Sequence, residues 1–332
     1  MSINLQQLRY LAAVHEQGLN ITAAARQLHT SQPAISRQIK LLEDELGLHL
    51  FERRGRALVR TTPAGDDIIG RAVSILREVR NMQRIGSSLS EAMGGSLSIA
   101  TTHTQARYVL PEVIRGFLGE HPNVRLHLYQ GTSEQIAEMS GRDQVDLAIV
   151  SGSEDSFPHL VRLPIYRWHH AVILPKGHPL AFAGKLTLSK LAEHPIVTYA
   201  FSLSGRSSLQ ALFDTAGLSP DVALTAYDSD VIKTYVRAGL GVGILAKLAV
   251  DPVADSDLKV LDAAHLFDGH TTWIGFRRGA LLTAYMYAFI RQLAPHLVRT
   301  RVRAAERAHT QEEVDHLLEG CVIPLREFSG RV

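Results

Sequence analysis

The sequence is poor in the residues that mark several protein classes. Its 332 residues include one cysteine, Cys321, which excludes an internal disulfide framework or a cysteine-based zinc site and suits a reducing, cytoplasmic setting. It has no apolar run of about 20 residues, the length that a membrane span needs. The first residues have neither a basic nor an apolar segment, so we expect no signal peptide. These absences predict a cytoplasmic protein without a membrane partner.

Charge of one sign is also scarce, because 35 Lys and Arg oppose 33 Asp and Glu, a net charge of +2. Taken over the whole chain, this balance argues against nucleic acid, which normally requires a basic excess. The charge is uneven, however: residues 1–60 hold eight basic and five acidic residues, net +3, and the other 272 residues sum to −1. A basic module on a neutral bulk is typical of a DNA-binding protein, although a solvated charged face would give the same count.

The spacing of apolar residues favours the first alternative. Three helical stretches precede residue 47, and the third shows short polar side chains at its start and cations further along, as in a helix-turn-helix. Residues 51–59 follow as a two-stranded wing with arginines at its tip, suited to the DNA backbone or minor groove. The residues predicted to face DNA are Thr22, Thr30, Ser31, Gln32, Pro33, Ser36, Arg37, Lys40, Arg53, Arg54 and Arg56.

Several blocks of this segment resemble the winged helix of LysR-type transcriptional regulators. They are Leu-Arg-Tyr at 8–10, Thr-Ala-Ala-Ala at 22–25, Ser-Gln-Pro-Ala-Ile-Ser at 31–36, Phe-Glu-Arg at 51–53 and Thr-Pro-Ala-Gly at 62–65. The resemblance implies a regulator that binds double-stranded operator DNA and contacts RNA polymerase. It also implies that the long helix predicted from Pro63 dimerises and that the protein is a homo-oligomer, a dimer of dimers. A core helix of a single chain is the alternative.

Strands and helices alternate after residue 95. Strands are predicted at 96–101, 124–130, 145–150, 171–174, 196–199, 222–226 and 272–276, and the first helices at 105–120 and 133–141. This alternation indicates parallel sheets flanked by helices, in one doubly wound domain or two lobes. The resemblance favours two lobes around a ligand cleft, as in periplasmic binding proteins.

The predicted fold is therefore an N-terminal winged helix-turn-helix, all-α apart from its wing, plus an α/β two-lobed periplasmic-binding-protein-like effector domain. The expected domains are the winged helix at 1–60, a dimerising linker helix at 61–90, the effector domain at 95–298 and a tail at 299–332. Within the effector domain, lobe I takes about 95–165 and 268–298, and lobe II about 166–267. The tail is predicted to be a helical appendage.

A hydroxyl-rich segment lies where the first of these strands ends. Thr101, Thr102, Thr104 and Gln105 supply neutral donors at the start of a helix, a set that suits an ionised oxyanion such as sulfate. The alternative is a Thr-rich helix cap without a ligand. Two more hydroxyl-rich corners, at Ser151 and around Ser204, follow other strands, and three such corners can surround a small anion in a cleft.

The effector region further resembles the CysB-like branch of the family, regulators of cysteine biosynthesis and sulfur assimilation. The blocks are Thr-Thr-His-Thr-Gln at 101–105, residues 230–237 and Gly-Leu-Gly-Val-Gly at 239–243. The resemblance implies sulfate binding at Thr102, Thr104, Gln105, Ser151 and Ser204, a cleft lined by Trp168, and an acetylserine inducer. The branch has Thr at the positions of Ser151 and Ser204, so ligand preference can differ. A sister group controls sulfonate utilisation, with a sulfonate-related effector as the corresponding alternative.

Other function classes find little support. The glycines at 239–243 lack the context of a dinucleotide site, no Ser/His/Asp spacing supports a hydrolase, and the 16 histidines are scattered. We therefore expect no catalytic residues, no metal and no cofactor. A solute-binding transport protein would share the two lobes, but it would need a secretory signal and would carry no winged helix.

Overall fold

The computed structural model describes residues 3–55, 57–88, 95–151, 157–200 and 208–327. Its contacts separate two compact units, Met1–Glu91 and Ala92–Val332. Arg56, Ser204 and residues 89–94, which include the end of the predicted linker helix, lie outside the described residues. We describe each unit by itself.

The N-terminal unit is a helical core with a small hairpin, as the winged-helix pattern predicts. Its elements are α1 (Leu5–Glu16), α2 (Ile21–Gln27), α3 (Gln32–Leu46), β1 (Phe51–Arg54), β2 (Ala57–Thr61) and α4 (Pro63–Ser88). Asn20 caps α2 and Ser31 caps α3, each accepting a hydrogen bond from a backbone amide three residues on. Ile35, Ile39 and Leu42 of α3 are almost fully buried against α1 and α2. The opposite face of α3 is thereby left to solvent.

A buried carboxylate fixes the wing to α3. Glu43, only 6% exposed, accepts hydrogen bonds from the backbone amides of Leu50 and Phe51 and from Arg53 Nη2 at 3.1 Å. A buried charge needs such partners. The predicted wing arginine Arg53 is therefore paired with a carboxylate of α3.

The first sheet of the C-terminal unit has the strand order β4-β3-β5-β12-β6. Its strands are β3 (Gly95–Thr101), β4 (Val124–Gln130), β5 (Leu147–Ser151), β6 (Leu160–Trp168) and β12 (His270–Arg277). Helices α5 (His103–Tyr108), α6 (Leu110–Glu120), α7 (Ser133–Gly141) and α11 (Ala284–Leu293) pack on it, followed by α12 (Arg299–Arg307) and α13 (Gln311–Leu317) of the tail. β3, β4 and β5 run parallel to one another, and β12 runs antiparallel to both of its neighbours, β5 and β6.

The second sheet has the order β11-β7-β10-β8-β9. Its strands are β7 (His170–Pro175), β8 (Ile196–Tyr199), β9 (Val222–Ala226), β10 (Val242–Ala246) and β11 (Leu258–Asp262), with helices α8 (Leu188–Ala192), α9 (Ser208–Thr215) and α10 (Ser229–Arg237). The chain passes from the first sheet to the second between Trp168 and His170, and it returns before His270. Both sheets have their own buried core, so the region is two-lobed.

The first helix of lobe I differs from the prediction. We expected one helix over 105–120, but the structure has α5 and α6, which meet at Val109. The cause is Pro111, which lacks an amide proton and is accepted only in the first turn of a helix, so a new helix begins at Leu110. α5 therefore has only six residues.

Candidate functional site

The polar face of α3 is exposed along its length. Ser31, Gln32, Pro33, Arg37 and Lys40 are exposed, and Ser36 is half-buried. Gln32, Arg37 and Lys40 are exposed in successive turns of α3, whereas Ile35, Ile39 and Leu42 are buried. This geometry suits insertion of α3 into a groove of DNA, with Gln32 near the end that meets base edges.

The two remaining threonines and the wing flank α3. Thr22 is exposed within the first turn of α2, and Thr30 is half-buried in the turn before α3. Arg53 is tied to Glu43, whereas Arg54 is exposed beside the tip of the hairpin, next to Gly55 with its φ of +64°. Arg54 is thus exposed at a position of the wing where it could reach a backbone phosphate.

Most of the predicted effector residues form one hydrogen-bonded chain in lobe I. The Thr102 hydroxyl donates to Gln105 Oε1, and Gln105 Nε2 donates to Ser151 Oγ at 3.2 Å. Trp168 Nε1 also donates to Ser151 Oγ, at 3.3 Å, and Ser151 Oγ lies 2.6 Å from Thr272 Oγ1. We call Thr102, Gln105, Ser151, Trp168 and Thr272 the cleft network.

The protons of the cleft network can be assigned from its geometry. Ser151 accepts from two N–H groups, which uses both lone pairs, so its own proton goes to Thr272. Thr272 then keeps its hydroxyl proton for another acceptor. Tyr166, opposite Thr272 in the sheet, adds a fully buried hydroxyl beside Thr272 and Gln105 that makes no hydrogen bond of standard geometry to the described residues. The network thus ends in neutral donors.

The alternative that the threonine segment is a helix cap applies to the position of Thr102 but not to its hydrogen bond. Thr102 does occupy the position before α5, but its side chain makes no capping hydrogen bond. Its hydroxyl is used for Gln105 instead. Because α5 is so short, its dipole contributes little, and the side chains supply the donors.

Thr104 lies apart from the cleft network, towards lobe II. Its hydroxyl is 3.3 Å from Ser229 Oγ at the start of α10, and Ser229 Oγ is 2.8 Å from the Tyr199 hydroxyl. Ser204 is outside the described residues. The structure therefore brings together Thr102, Gln105, Ser151 and Trp168, and it joins Thr104 to the facing lobe.

Thr272, Tyr166, Ser229 and Tyr199 were missed from the sequence. For Thr272 the sequence offered one signal, a polar residue at the start of a predicted strand, and the structure shows it fully buried. Its neighbour Ser151 is 121 residues away in the chain. Pairing of β12 with β5 creates this contact, and single-sequence patterns do not report pairing.

Aromatic rings surround the crossover between the lobes. Trp168 stacks on His270 with centroids 4.6 Å apart, and His170 meets both rings edge-on. Burial lowers the pKa of His170 to about 3, with a further contribution from His270 and His169. Burial likewise lowers the pKa of His270. Both imidazoles are therefore neutral near pH 7.

Metal and membrane sites were also sought in the described parts of the chain. No three of their His, Cys, Asp or Glu side chains are grouped so that they could hold a metal ion. None of their helices combines the length and apolar character that a membrane crossing requires.

Two family models cover most of the chain. Residues 5–66 match the bacterial regulatory helix-turn-helix protein of the lysR family, and residues 90–298 match the LysR substrate binding domain. The chain is 46% identical to the HTH-type transcriptional regulator SsuR of Burkholderia cenocepacia over 89% of this chain and 96% of that protein. It is 45% identical to the HTH-type transcriptional regulator CysB of Haemophilus influenzae, over 96% and 98%.

A solved structure, the cofactor-binding domain of the Cbl transcriptional regulator, shares 42% identity. It matches with a TM-score of 0.61 over 65% of this chain and 95% of that one. The predicted fold class and the resemblance are confirmed: the chain belongs to the LysR family of transcriptional regulators, in the CysB-like branch that these relatives represent.

Proposed function

We propose that this protein regulates genes of sulfur assimilation and cysteine biosynthesis by binding operator DNA in response to a small oxyanion effector. The observation that carries the effector assignment is the cleft network, a chain of neutral hydrogen-bonding groups that converges on Ser151 and Thr272 beside the buried hydroxyl of Tyr166. Neutral donors suit an anion that is fully ionised, because no acceptor in the site has to take up a proton. Sulfate and an acetylserine are the expected ligands, and Ser204 would complete the site from lobe II.

The DNA-binding half of the proposal rests on α3. Gln32, Arg37 and Lys40 would contact bases and phosphates, and Arg54 and Arg56 of the wing would contact the DNA backbone. The linker helix at 61–90, which contains α4, would pair with its copy in a second protomer. Paired winged helices raise a weak single-module affinity by joining two half-sites. The effector would act by shifting the population of lobe and protomer arrangements on the promoter, with RNA polymerase as the downstream partner.

Control of sulfonate utilisation is the alternative function within the same branch. The identities to SsuR and CysB differ by one per cent, 46% against 45%, so relatedness does not separate the two gene sets. Ser151 supports the alternative, since the smaller side chain leaves room where the branch has Thr.

Calorimetry on the full-length protein tests the effector site. Thr102→Ala should weaken sulfate binding about tenfold or more, because a hydrogen bond to a charged group contributes about 1.5–3 kcal/mol. Ser151→Ala should do the same by releasing Gln105 and Trp168. Thr215→Ala is the control, since that exposed hydroxyl bonds only to its own helix. Sulfate affinity unchanged in both cleft variants would remove these residues from the site.

Footprinting tests the regulatory half on DNA selected from random sequence by the full-length protein. Adding acetylserine or sulfate should change the protected length or the affinity. Gln32→Ala should lower specific binding by about 1–3 kcal/mol, whereas Lys40→Ala should weaken all sequences and reduce the salt dependence by about one phosphate contact. An identical footprint with and without either ligand would overturn effector control.

A further inference from the structure

A small apolar cavity opens beside the cleft network, at the crossover between the lobes. It has a volume of about 210 Å³. Its walls come from both lobes and from both crossing strands: Trp168, His170, Leu209, Leu212, Phe267 and His270. An engineered cavity of about 150 Å³ lined by apolar side chains binds benzene, so this space is large enough for an organic group of that size.

The aromatic wall of the cavity is fixed by its own packing. His270 pairs directly with Trp168 across the β6–β12 ladder and stacks on it with a 24° angle between the rings. His170 contacts Phe267 at 5.3 Å between centroids. A ligand would therefore meet a preformed surface and would have little ordering cost.

The described lining residues of the cavity offer no positive charge to an anion. None of the described lining residues is Lys or Arg, and the one charged side chain is the carboxylate of Asp268. His170 and His270 are neutral because burial lowers the pKa of each ring. An oxyanion head would have no counter-charge here, and its position is therefore in the cleft network.

Trp168 connects the two environments. Its Nε1 donates to Ser151 in the cleft network, while its ring forms a wall of the cavity. We propose that the effector cleft binds an organic oxyanion, with its charged head in the cleft network and an apolar arm of alkyl or aryl character in the cavity. This inference rests on the proposed function and adds the chemical class of the ligand, which bare sulfate would fill only in part.

Binding of the apolar arm should raise the affinity across a ligand series, measured by calorimetry on the full-length protein. The series is sulfate, methanesulfonate, butane-1-sulfonate and benzenesulfonate. Each buried methylene contributes about 0.8 kcal/mol, or about fourfold in affinity, so butane-1-sulfonate and benzenesulfonate should bind at least tenfold tighter than methanesulfonate. Equal affinities across the three sulfonates would overturn the proposal.

Cavity variants locate the arm. Leu212→Trp should remove most of the difference in affinity between benzenesulfonate and methanesulfonate, and Leu212→Ala should favour naphthalene-2-sulfonate over benzenesulfonate. Leu240→Trp, at an exposed leucine outside the cavity, is the matched control and should change neither affinity. Equal loss of every ligand in both Leu212 variants would contradict an arm in this cavity.

The same measurements distinguish the two proposals. If benzenesulfonate binding depends on Leu212 but no ligand responds to Thr102→Ala, the cavity is used and the assignment of the cleft network fails. If sulfate responds to Thr102→Ala and the arm adds nothing, the assignment of the cleft network stands and the cavity proposal fails.

Discussion

At the scale of single residues, one glycine allows the start of α4 to pack closely against the backbone before β1. α4 begins where Thr62 donates to the His49 carbonyl and accepts from the Gly65 amide, at 2.7 and 2.9 Å. A Cβ on Gly65 would stand 2.0 Å from the Leu50 carbonyl oxygen. The Thr-Pro-Ala-Gly block therefore has a physical meaning: a cap, a helix-starting proline and a close backbone approach.

Gly65→Ala should destabilise the N-terminal unit by at least about 2 kcal/mol, because neither backbone can rotate away from the added methyl. Gly70→Ala is the matched control in the same helix. Its Cβ would meet nothing within 4 Å, so it should stabilise the helix by up to about 1 kcal/mol. Denaturant unfolding of the full chain, followed together with DNA binding, measures both. Equal stability of the two variants would contradict the close approach.

The same scale shows what sequence patterns could and could not supply. They placed the exposed face of α3 and named Thr102, Gln105 and Ser151 of the cleft network, because donors at strand ends are visible along the chain, whereas Trp168 was implied only by the family resemblance. They missed Thr272 and Tyr166, whose position depends on strand pairing. They also missed the bond between Glu43 and Arg53, since burial of a carboxylate is decided by tertiary packing rather than by local composition.

At the scale of elements, the short α5 carries the proposed effector residues Thr104 and Gln105 near its start and a contact to lobe II at its end. Its last residue, Tyr108, donates to Asp230 at 2.7 Å and accepts from Lys233 Nζ at 2.8 Å, both on α10. Lys233 also lies 2.7 Å from Asp255, and the two side chains are 4% and 5% exposed. Burial alone would raise the pKa of Asp255, but hydrogen bonds from Lys233, Arg237 and a backbone amide together lower it.

Lys233→Met should therefore cost about 3 kcal/mol, because it removes one of the two cations that compensate the buried Asp255. Adding Asp255→Asn to that variant should recover part of the loss. Arg142→Ala, which breaks the exposed pair of Arg142 with Glu138, is the control and should change stability by less than about 0.5 kcal/mol. Urea unfolding at pH 7 gives all three values, and similar losses from Lys233→Met and Arg142→Ala would rule out a buried pair.

Helices and strands could be predicted where the pattern of apolar residues along the chain is clear. Prediction was unreliable where strand pairing determines the structure. The strands at 124–130, 196–199 and 222–226 were predicted with their observed ends. β6 and β10 were not among the predicted strands. β10 in fact begins at Val242, and a Cβ on Gly243 would lie 2.6 Å from the Ile173 side chain. That glycine permits close packing inside the sheet.

At the scale of the whole chain, the tail is part of the C-terminal unit. The family model ends at residue 298, and the sequence indicated only a helical appendage. Val302, Ala305, Val314 and Leu318 nevertheless join the buried core of lobe I. Gln311 brackets the backbone of Arg162 in the edge strand β6, donating to its carbonyl and accepting from its amide, each at 3.0 Å.

The last described residues continue along the same edge and reach the second lobe. Arg167 donates its amide to the Pro324 carbonyl, and the Arg326 amide donates back to the Arg167 carbonyl, both at 2.8 Å. Lys247 of lobe II then pairs with Glu327 at 2.7 Å. The tail thus covers the free edge of β6, which would otherwise be open to pairing with another chain.

Truncation in two steps tests this role of the tail. A chain ending at residue 298 should lose several kcal/mol of stability and aggregate, because the core of lobe I and the β6 edge both become exposed. A chain ending at residue 319 keeps α12, α13 and the Gln311 contacts, so it should stay folded with a smaller drop in thermal midpoint. Thermal unfolding and sedimentation of the two chains beside the full-length protein measure the difference. A chain ending at 298 that unfolds with the full-length midpoint and remains soluble would show that the tail contributes nothing to the unit.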